Sequence, residues 1–409
     1  MKLAVLLTTP RRTGGAETFA HQLVSGLRSL GHDVDVVATT YRKYETKADL
    51  LEMNWPQSAV DLCTHVVRAT KPADLEKALI DYDGIIVNHL FFVDKTLPAV
   101  LYTSEKIAPW TSGCHTNMSL PGDVYSHLQL SPRWTGKHVY FWDGVPEAHA
   151  AAKWYRTILP YELSVDAPAA LNSRLYDFMS ASRVAPEKGL ATYLAGLTGL
   201  RDRGYGLKAL LAGESSDMIG GPHSFALAQC LGKWGWDVRL DDYAKMKTLW
   251  QAHSDKCTIT YSGKYDIADR SGILSSGKFF VNTTSGHAAN SHFEYATLEA
   301  IDNGCVPICK ADWNDWQYPD EKPRVFNLPS KSHRLTKKNG VKTHNNMSKT
   351  ALVDVYDKVP AVFENAITLD NETAEALVPY NRDIIEKAHD PRLAASTFIE
   401  VFEDYKAGR

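Results

Sequence analysis

Short, unbroken apolar runs alternate with helix-length segments twice along this chain, and that repetition restricts the fold more than any other feature. In the first third the runs are Leu3 to Thr8, Val34 to Thr39, Gly84 to Asn88, Ala108 to Thr111 and Val139 to Trp142, with a helical pattern from Ala16 to Leu30 after the first. Strands that are apolar along their whole length are those buried on both faces, as in a parallel sheet covered by helices. A second series begins near Ala169. Its strands are Leu175 to Ser180, Leu207 to Ala212, Ile259 to Ser262, Phe279 to Thr284 and Val306 to Lys310, and its helices are Gly189 to Arg203, Ser224 to Trp234 and Glu294 to Asn303. At 409 residues, the chain exceeds one ordinary core and suits two domains of about 150 to 200 residues. The expected fold is α/β, with two doubly wound, Rossmann-like units whose strand carboxyl ends face a central cleft.

The segment PYELSVDAPAA, Pro160 to Ala170, carries prolines and no helical period, so it is the expected linker. The chain is expected to divide at residues 1–165, 166–385 and 386–409. The last piece belongs to a helical pattern from Asn381 to Lys406 and is expected to pack across the domain junction. Lys331 to Lys349, KSHRLTKKNGVKTHNNMSK, is rich in basic and amide side chains and reads as a solvated loop.

Lys plus Arg number 45 against 48 Asp plus Glu, so no global basic field announces a nucleic acid or an anionic membrane, and any polyanion must be held by a local patch. The six cysteines lack CxxC spacing and a histidine cluster, as expected of reduced thiols in a cytoplasmic protein. The opening MKLAVLLTTPRR places arginines where a signal peptidase requires small residues, so it reads as a first strand. No apolar run approaches the roughly 20 residues of a membrane span, and no stable membrane association is expected.

Several residues point to chemistry. In PRRTGGAET, Gly14 and Gly15 lie between the first strand and first helix, where backbone N–H groups meet an anion at a positive helix end; the alternative is a plain tight turn. The turn lacks the GxGxxG spacing of a dinucleotide site. In SASRVAPEKG, Arg183 and Lys188 follow the first strand of the second unit, where two cations can neutralise a departing diphosphate, or simply form a solvated charge pair. In NSHFEYATLEAIDNGCVPICK, a loop, a helix carrying Glu299, a stop at Gly304 and an apolar strand follow one another. A carboxylate there can accept both hydroxyl hydrogens of a ribose, although an isolated helical Glu is usually a surface residue. Asp33 and Asp35 have DxD spacing, but they open a strand far from the other candidates and are rejected as a metal site.

Together these segments resemble GT-B glycosyltransferases of the large retaining group along nearly the whole chain. The carriers are TGGAETFAHQL, SRVAPEKG, LLAGE at Leu210 to Glu214, TYSGKYD at Thr260 to Asp266 and FEYATLEAIDNGCVPI. A narrower similarity, in FEYATLEAIDNGCVPICK and its spacing from SRVAPEKG, is to the phage DNA α-glucosyltransferases that modify 5-hydroxymethylcytosine. The resemblance implies an acceptor-binding N-terminal domain, a nucleotide-sugar-binding second domain and a UDP-sugar donor, with no metal or other cofactor required. Gly15 would approach the donor phosphates with Gly14 and Gly213 nearby; Arg183 and Lys188 would grip the diphosphate; Glu299 would hold the ribose. Gly263, Lys264 and Tyr265 would meet the base through the main chain, and His115 would contact the transferred sugar, unless it is an ordinary loop histidine. The broad family has two glutamates separated by seven residues, yet here the first position is Ser291 and the nearest acid is Glu294. Either Glu294 or the backbone around His292 and Phe293 then takes the sugar hydroxyls, with Tyr295 also inside the donor loop.

The implied reaction is retaining, through a front-face displacement without a protein nucleophile. If the acceptor is hydroxymethylated cytosine in double-stranded DNA, the base must be flipped out, and phosphate contacts help offset that cost. The cations available are Arg11, Arg12, Arg133 and Lys137 in the first domain and Arg334, Lys337, Lys338 and Lys342 in the basic loop. As a bland alternative these are solvated surface charges. A lipid-linked or cell-envelope acceptor and a non-catalytic nucleotide-sugar-binding protein are the competing readings.

Overall fold

The computed structural model describes residues 1–7, 15–40, 46–52, 57–68, 77–88, 107–111, 138–140, 154–182, 190–213, 248–251, 257–263, 265, 269–283, 294–309, 317–328, 337–338, 341–342 and 349–408. Two compact units account for them. The first comprises residues 1–162 and 386–409, and the second residues 163–385.

The first unit is built on a seven-stranded parallel sheet. Its strands are β1 (Lys2–Leu7), β2 (Asp33–Thr40), β3 (His65–Arg68), β4 (Gly84–Asn88), β5 (Ile107–Thr111), β6 (His138–Tyr140) and β7 (Trp154–Arg156), in the order β3-β2-β1-β4-β5-β6-β7. Every residue of β1 from Leu3 to Leu7 is buried, as expected of a central strand with helices on both faces. The Gly15–Ser29 helix follows β1, and the Pro391–Lys406 helix packs with it, Phe19 meeting Phe398 edge-on with ring centroids 6.3 Å apart.

The second unit contains β8 (Tyr176–Ala181), β9 (Leu207–Ala212), β10 (Thr248–Gln251), β11 (Cys257–Gly263), β12 (Gly277–Val281), β13 (Val306–Cys309) and β14 (Phe326–Asn327), ordered β10-β11-β9-β8-β12-β13-β14. All pair in parallel except β10, which joins β11 antiparallel at the edge. Without β10 the order repeats that of the first sheet up to its sixth strand. The two-residue strands β15 (Lys337–Lys338) and β16 (Val341–Lys342) form a separate antiparallel pair.

Alternation along the strands sorts the second core into two layers. On one face Phe178, Ala209, Leu211, Ile259 and Phe279 meet the Leu190–Asp202 and Lys349–Ile367 helices, with Phe178 stacked on Phe363 at 4.9 Å. On the other face Met179, Ala181, Leu210, Ala212, Phe280, Ala300 and Cys305 form a second cluster, joined by Ile273 and Ala296 from the Arg270–Leu274 and Tyr295–Asp302 helices.

Two sequence expectations change. The Asn381 to Lys406 pattern is not one helix: the Asn371–Ala388 helix stops, and a new one begins at Pro391. Asp390 caps it by accepting from the Arg392 N–H at 2.8 Å, with Pro391 preset for the first turn. The basic 331–349 segment, read as a loop, contains the β15–β16 pair. The helix expected at Ser224 to Trp234 lies outside the described residues.

Candidate functional site

The winding of the second sheet reverses at β8, which lies between β9 and β12. In open α/β sheets a ligand crevice forms outside the strand carboxyl ends at such a switch point. Register brings the relevant ends together: Ala181 of β8 pairs with Ala212 of β9, Ala212 with Gly263 of β11, and Met179 of β8 with Phe280 of β12. Gly213 leaves β9 with φ 139°, backbone that a side chain rarely tolerates. A register shift between Tyr261 and Gly263 bulges β11 at the same edge.

The Tyr295–Asp302 helix starts on this side. Glu294 is its N-cap in extended backbone, and its carbonyl accepts from the Thr297 and Leu298 N–H groups; its side chain does not cap the helix. Asn282, just beyond β12, donates from its side chain to Thr297 Oγ1 at 2.8 Å, fixing strand end to helix start. Tyr295, expected within the loop, is instead the first helical residue and is buried, because the extended backbone ends at Glu294. At the other end Gly304 has φ 77°, and Arg174 donates to the Asn303 carbonyl at 2.8 Å and to the Gly277 carbonyl at 2.8 Å. The glycine stop read from the sequence is thus a left-handed helix terminus.

Glu299 projects from this helix with 13 % of its side chain exposed and forms an ion pair with Arg270, the first residue of the Arg270–Leu274 helix. Arg270 donates through Nη1 to Glu299 Oε1. Its Nε is buried and has no hydrogen-bond partner among the described residues. Burial pushes the Glu299 carboxyl up to about 7, opposed by Arg270 and assisted by the nearby Asp302. Tyr265 completes the group. It packs against the cluster containing Ala181 and Ala212, and its phenol is raised by burial, lowered by Arg270 and raised by Glu299. A second link, Ser271 Oγ to Asn303 Oδ1 at 2.6 Å, ties the two helices together.

Of the remaining sequence candidates, Gly15 is the first residue of its helix and is exposed. Lys337, Lys338 and Lys342 lie in the β15–β16 pair, with Lys337 opposite Lys342. Gly14, Arg11, Arg12, His115, Arg133, Lys137, Arg183, Lys188, Lys264, Ser291, His292, Phe293 and Arg334 lie outside the described residues. Asp35, from the DxD triplet, accepts from the Tyr82 hydroxyl at 2.7 Å. Among the described residues no group of three His, Cys, Asp or Glu side chains is arranged to hold a metal, and no helix is long and apolar enough to cross a membrane. Arg270 was not anticipated. The available signal was a cation in a first helical turn, where the helix dipole disfavours it.

No family model matches the chain, and no curated protein matches it. Solved structures do. HepE of Anabaena, in complex with UDP and glucose, aligns with a TM-score of 0.62 and 13 % identity over 99 % of this chain and 100 % of that one. An alpha-glucosyltransferase in complex with UDP and a 13-mer DNA containing a HMU base aligns with a TM-score of 0.63 and 11 % identity, over 98 % and 99 %. The fold is GT-B. TarM of S. aureus, as a variant in complex with fondaparinux, alpha-GlcNAc-glycerol and UDP, shares the GT-B fold at a TM-score of 0.57 and 8 % identity, over 98 % and 100 %. At such identities the likeness concerns the two parallel-sheet α/β domains, and the chemistry must be argued from the residues.

Proposed function

We propose that this chain is a UDP-sugar-dependent glycosyltransferase that transfers a sugar to 5-hydroxymethylcytosine in DNA with retention of anomeric configuration. The observation that carries the transferase reading is the Glu299 carboxylate, largely buried, paired with Arg270 and electrostatically coupled to Tyr265, which packs on the cluster holding Ala181 and Ala212. In this reading Glu299 accepts the ribose hydroxyls, and the backbone at Gly263 to Tyr265 meets the uracil. Gly14, Gly15 and Gly213 let main chain approach the donor. Arg183 and Lys188, in the segment following β8, neutralise the diphosphate as it leaves. Glu294, or the backbone at Ser291 to Phe293, contacts the sugar, and His115 its acceptor-facing side. The leaving phosphate oxygen takes the acceptor proton, so neither a protein nucleophile nor a metal enters the reaction.

Support for a DNA acceptor is narrower. A structural neighbour is bound to DNA, and the basic strand pair of this chain sets Lys337 opposite Lys342. A strand pair that holds three lysines, Lys337, Lys338 and Lys342, suits a phosphate backbone. Arg11, Arg12, Arg133, Lys137, Arg334 and Lys338 extend the proposed contact. The second reading is a cell-envelope acceptor, favoured by the neighbour bound to alpha-GlcNAc-glycerol.

Incubation with hydroxymethylcytosine DNA and a panel of UDP-sugars, followed by mass spectrometry of the digested nucleosides, tests the proposal. A hexose or pentose adduct on hydroxymethylcytosine is the expected result. Donor hydrolysis without such an adduct would exclude the DNA acceptor and retain the transferase; absence of both nucleotide binding and hydrolysis would exclude the transferase.

A further inference from the structure

We propose that Arg270 is a positioning residue of the ribose subsite, holding one oxygen of Glu299 and leaving the other to receive a diol. The inference rests on the donor reading above and adds a residue to it. An arginine and a carboxylate frequently pair through two parallel hydrogen bonds that occupy both oxygens. Here, among the described residues, only Nη1 reaches Oε1, Nε is buried without a partner, and no hydrogen bond uses Glu299 Oε2. The single-point contact leaves an acceptor oxygen available while keeping a positive charge against the carboxylate.

The frame around the pair fixes this geometry. Asp269 and Arg270 open a short helix whose Ser271 is bonded to Asn303, and Asn303 donates from its side chain to the Glu299 carbonyl at 2.8 Å. Both helices pack into one cluster on this sheet face, Ile273 and Leu274 from one and Ala296 and Ala300 from the other meeting Met179, Ala181, Leu210, Ala212 and Phe280. The titratable groups described around Glu299 are Arg270 from one helix, Asp302 from its own and Tyr265 from the segment after β11. Asp302 favours the protonated carboxyl, and Arg270 is the cation that counters it. A protonated carboxyl offers poorer acceptance to two hydroxyls, so Arg270 extends ribose binding to lower pH.

The test is calorimetric titration of UDP and of 2′,3′-dideoxy-UDP, between pH 5.5 and 8.5, into wild type and the Arg270→Met, Arg270→Lys and Glu299→Gln variants, each checked by thermal melting. For Arg270→Met, UDP affinity should fall about tenfold at pH 7, with a smaller loss at pH 8.5 and unchanged affinity for the dideoxy analogue. Arg270→Lys should restore much of the loss. Equal weakening toward both nucleotides, or wild-type UDP affinity over the whole pH range in folded Arg270→Met, overturns the assignment while leaving the donor reading intact. Failure of the wild type to bind either nucleotide overturns both.

Discussion

Asp302 and Arg382 meet in the second unit, Oδ1 to Nη1 at 3.1 Å, with the Asp302 side chain fully buried. The same carboxylate accepts from the Ser164 N–H at 2.9 Å, the Ser164 hydroxyl at 2.8 Å and the Val165 N–H at 3.2 Å. One acid therefore ties the start of the unit to the end of the Glu299 helix and to the Asn371–Ala388 helix. Replacing it by alanine removes the counter-charge of Arg382, which keeps only the Asp302 and Val165 carbonyls among the described residues, and takes the carboxylate acceptor from the Ser164 and Val165 N–H groups. Asp302→Ala should lower stability by about 3–5 kcal/mol, read from urea unfolding midpoints, with Asp302→Asn milder because an acceptor remains.

Gly304 and Gly204 form a matched pair of substitutions. Both have positive φ, 77° and 86°. A Cβ at Gly304 would lie 2.5 Å from Pro168 Cβ and 2.6 Å from Arg174 Nη2, whereas one at Gly204 would meet nothing within 4 Å. Gly204→Ala should cost about 1 kcal/mol, from backbone strain alone. Gly304→Ala should cost at least about 2 kcal/mol by adding overpacking. Equal losses in thermal denaturation would show that the neighbours of Gly304 move aside freely.

The Glu299 carboxyl titrates at about 7 when folded, above its ordinary 4.5. The folded form then holds more protons than the unfolded form between those values, so this group's contribution to stability declines as pH rises through that window. Glu299→Gln, which mimics the protonated group, should remove the decline. Denaturation of both proteins at pH 4.5, 6 and 7.5 measures it: wild type should lose stability relative to the variant toward pH 7.5. A constant difference would contradict the burial-driven shift.

Lys188→Ala and Glu299→Ala should each reduce donor turnover at least about tenfold, equivalent to about 1.4 kcal/mol of transition-state stabilisation. Release of UDP from UDP-sugar, alongside a circular dichroism spectrum, separates that loss from unfolding. Wild-type rates in both variants would remove the proposed donor site.

The parts of the fold most legible in the sequence were those whose burial alone determined them. Strands β4 and β9 begin and end where their apolar runs do, at Gly84–Asn88 and Leu207–Ala212. β3, β7 and β10 are three or four residues long, too short for a period to emerge. The Lys349–Ile367 and Asn371–Ala388 helices contain Pro360 and Pro379, residues that read locally as breakers but are accommodated by tertiary packing. The helical position of Glu299 was legible because helix, glycine stop and strand follow one another in one continuous segment. The Arg270 contact was not, because it joins two helices across 29 residues of sequence.

The first unit takes its last helix from the end of the described chain, so the second is, in chain order, an insertion within it. During synthesis, Phe19 waits for Phe398 until the whole intervening unit has left the ribosome. The Gly15–Ser29 helix and strands β5 and β7 thus gain their contact with the Pro391–Lys406 helix only after the inserted unit has been made.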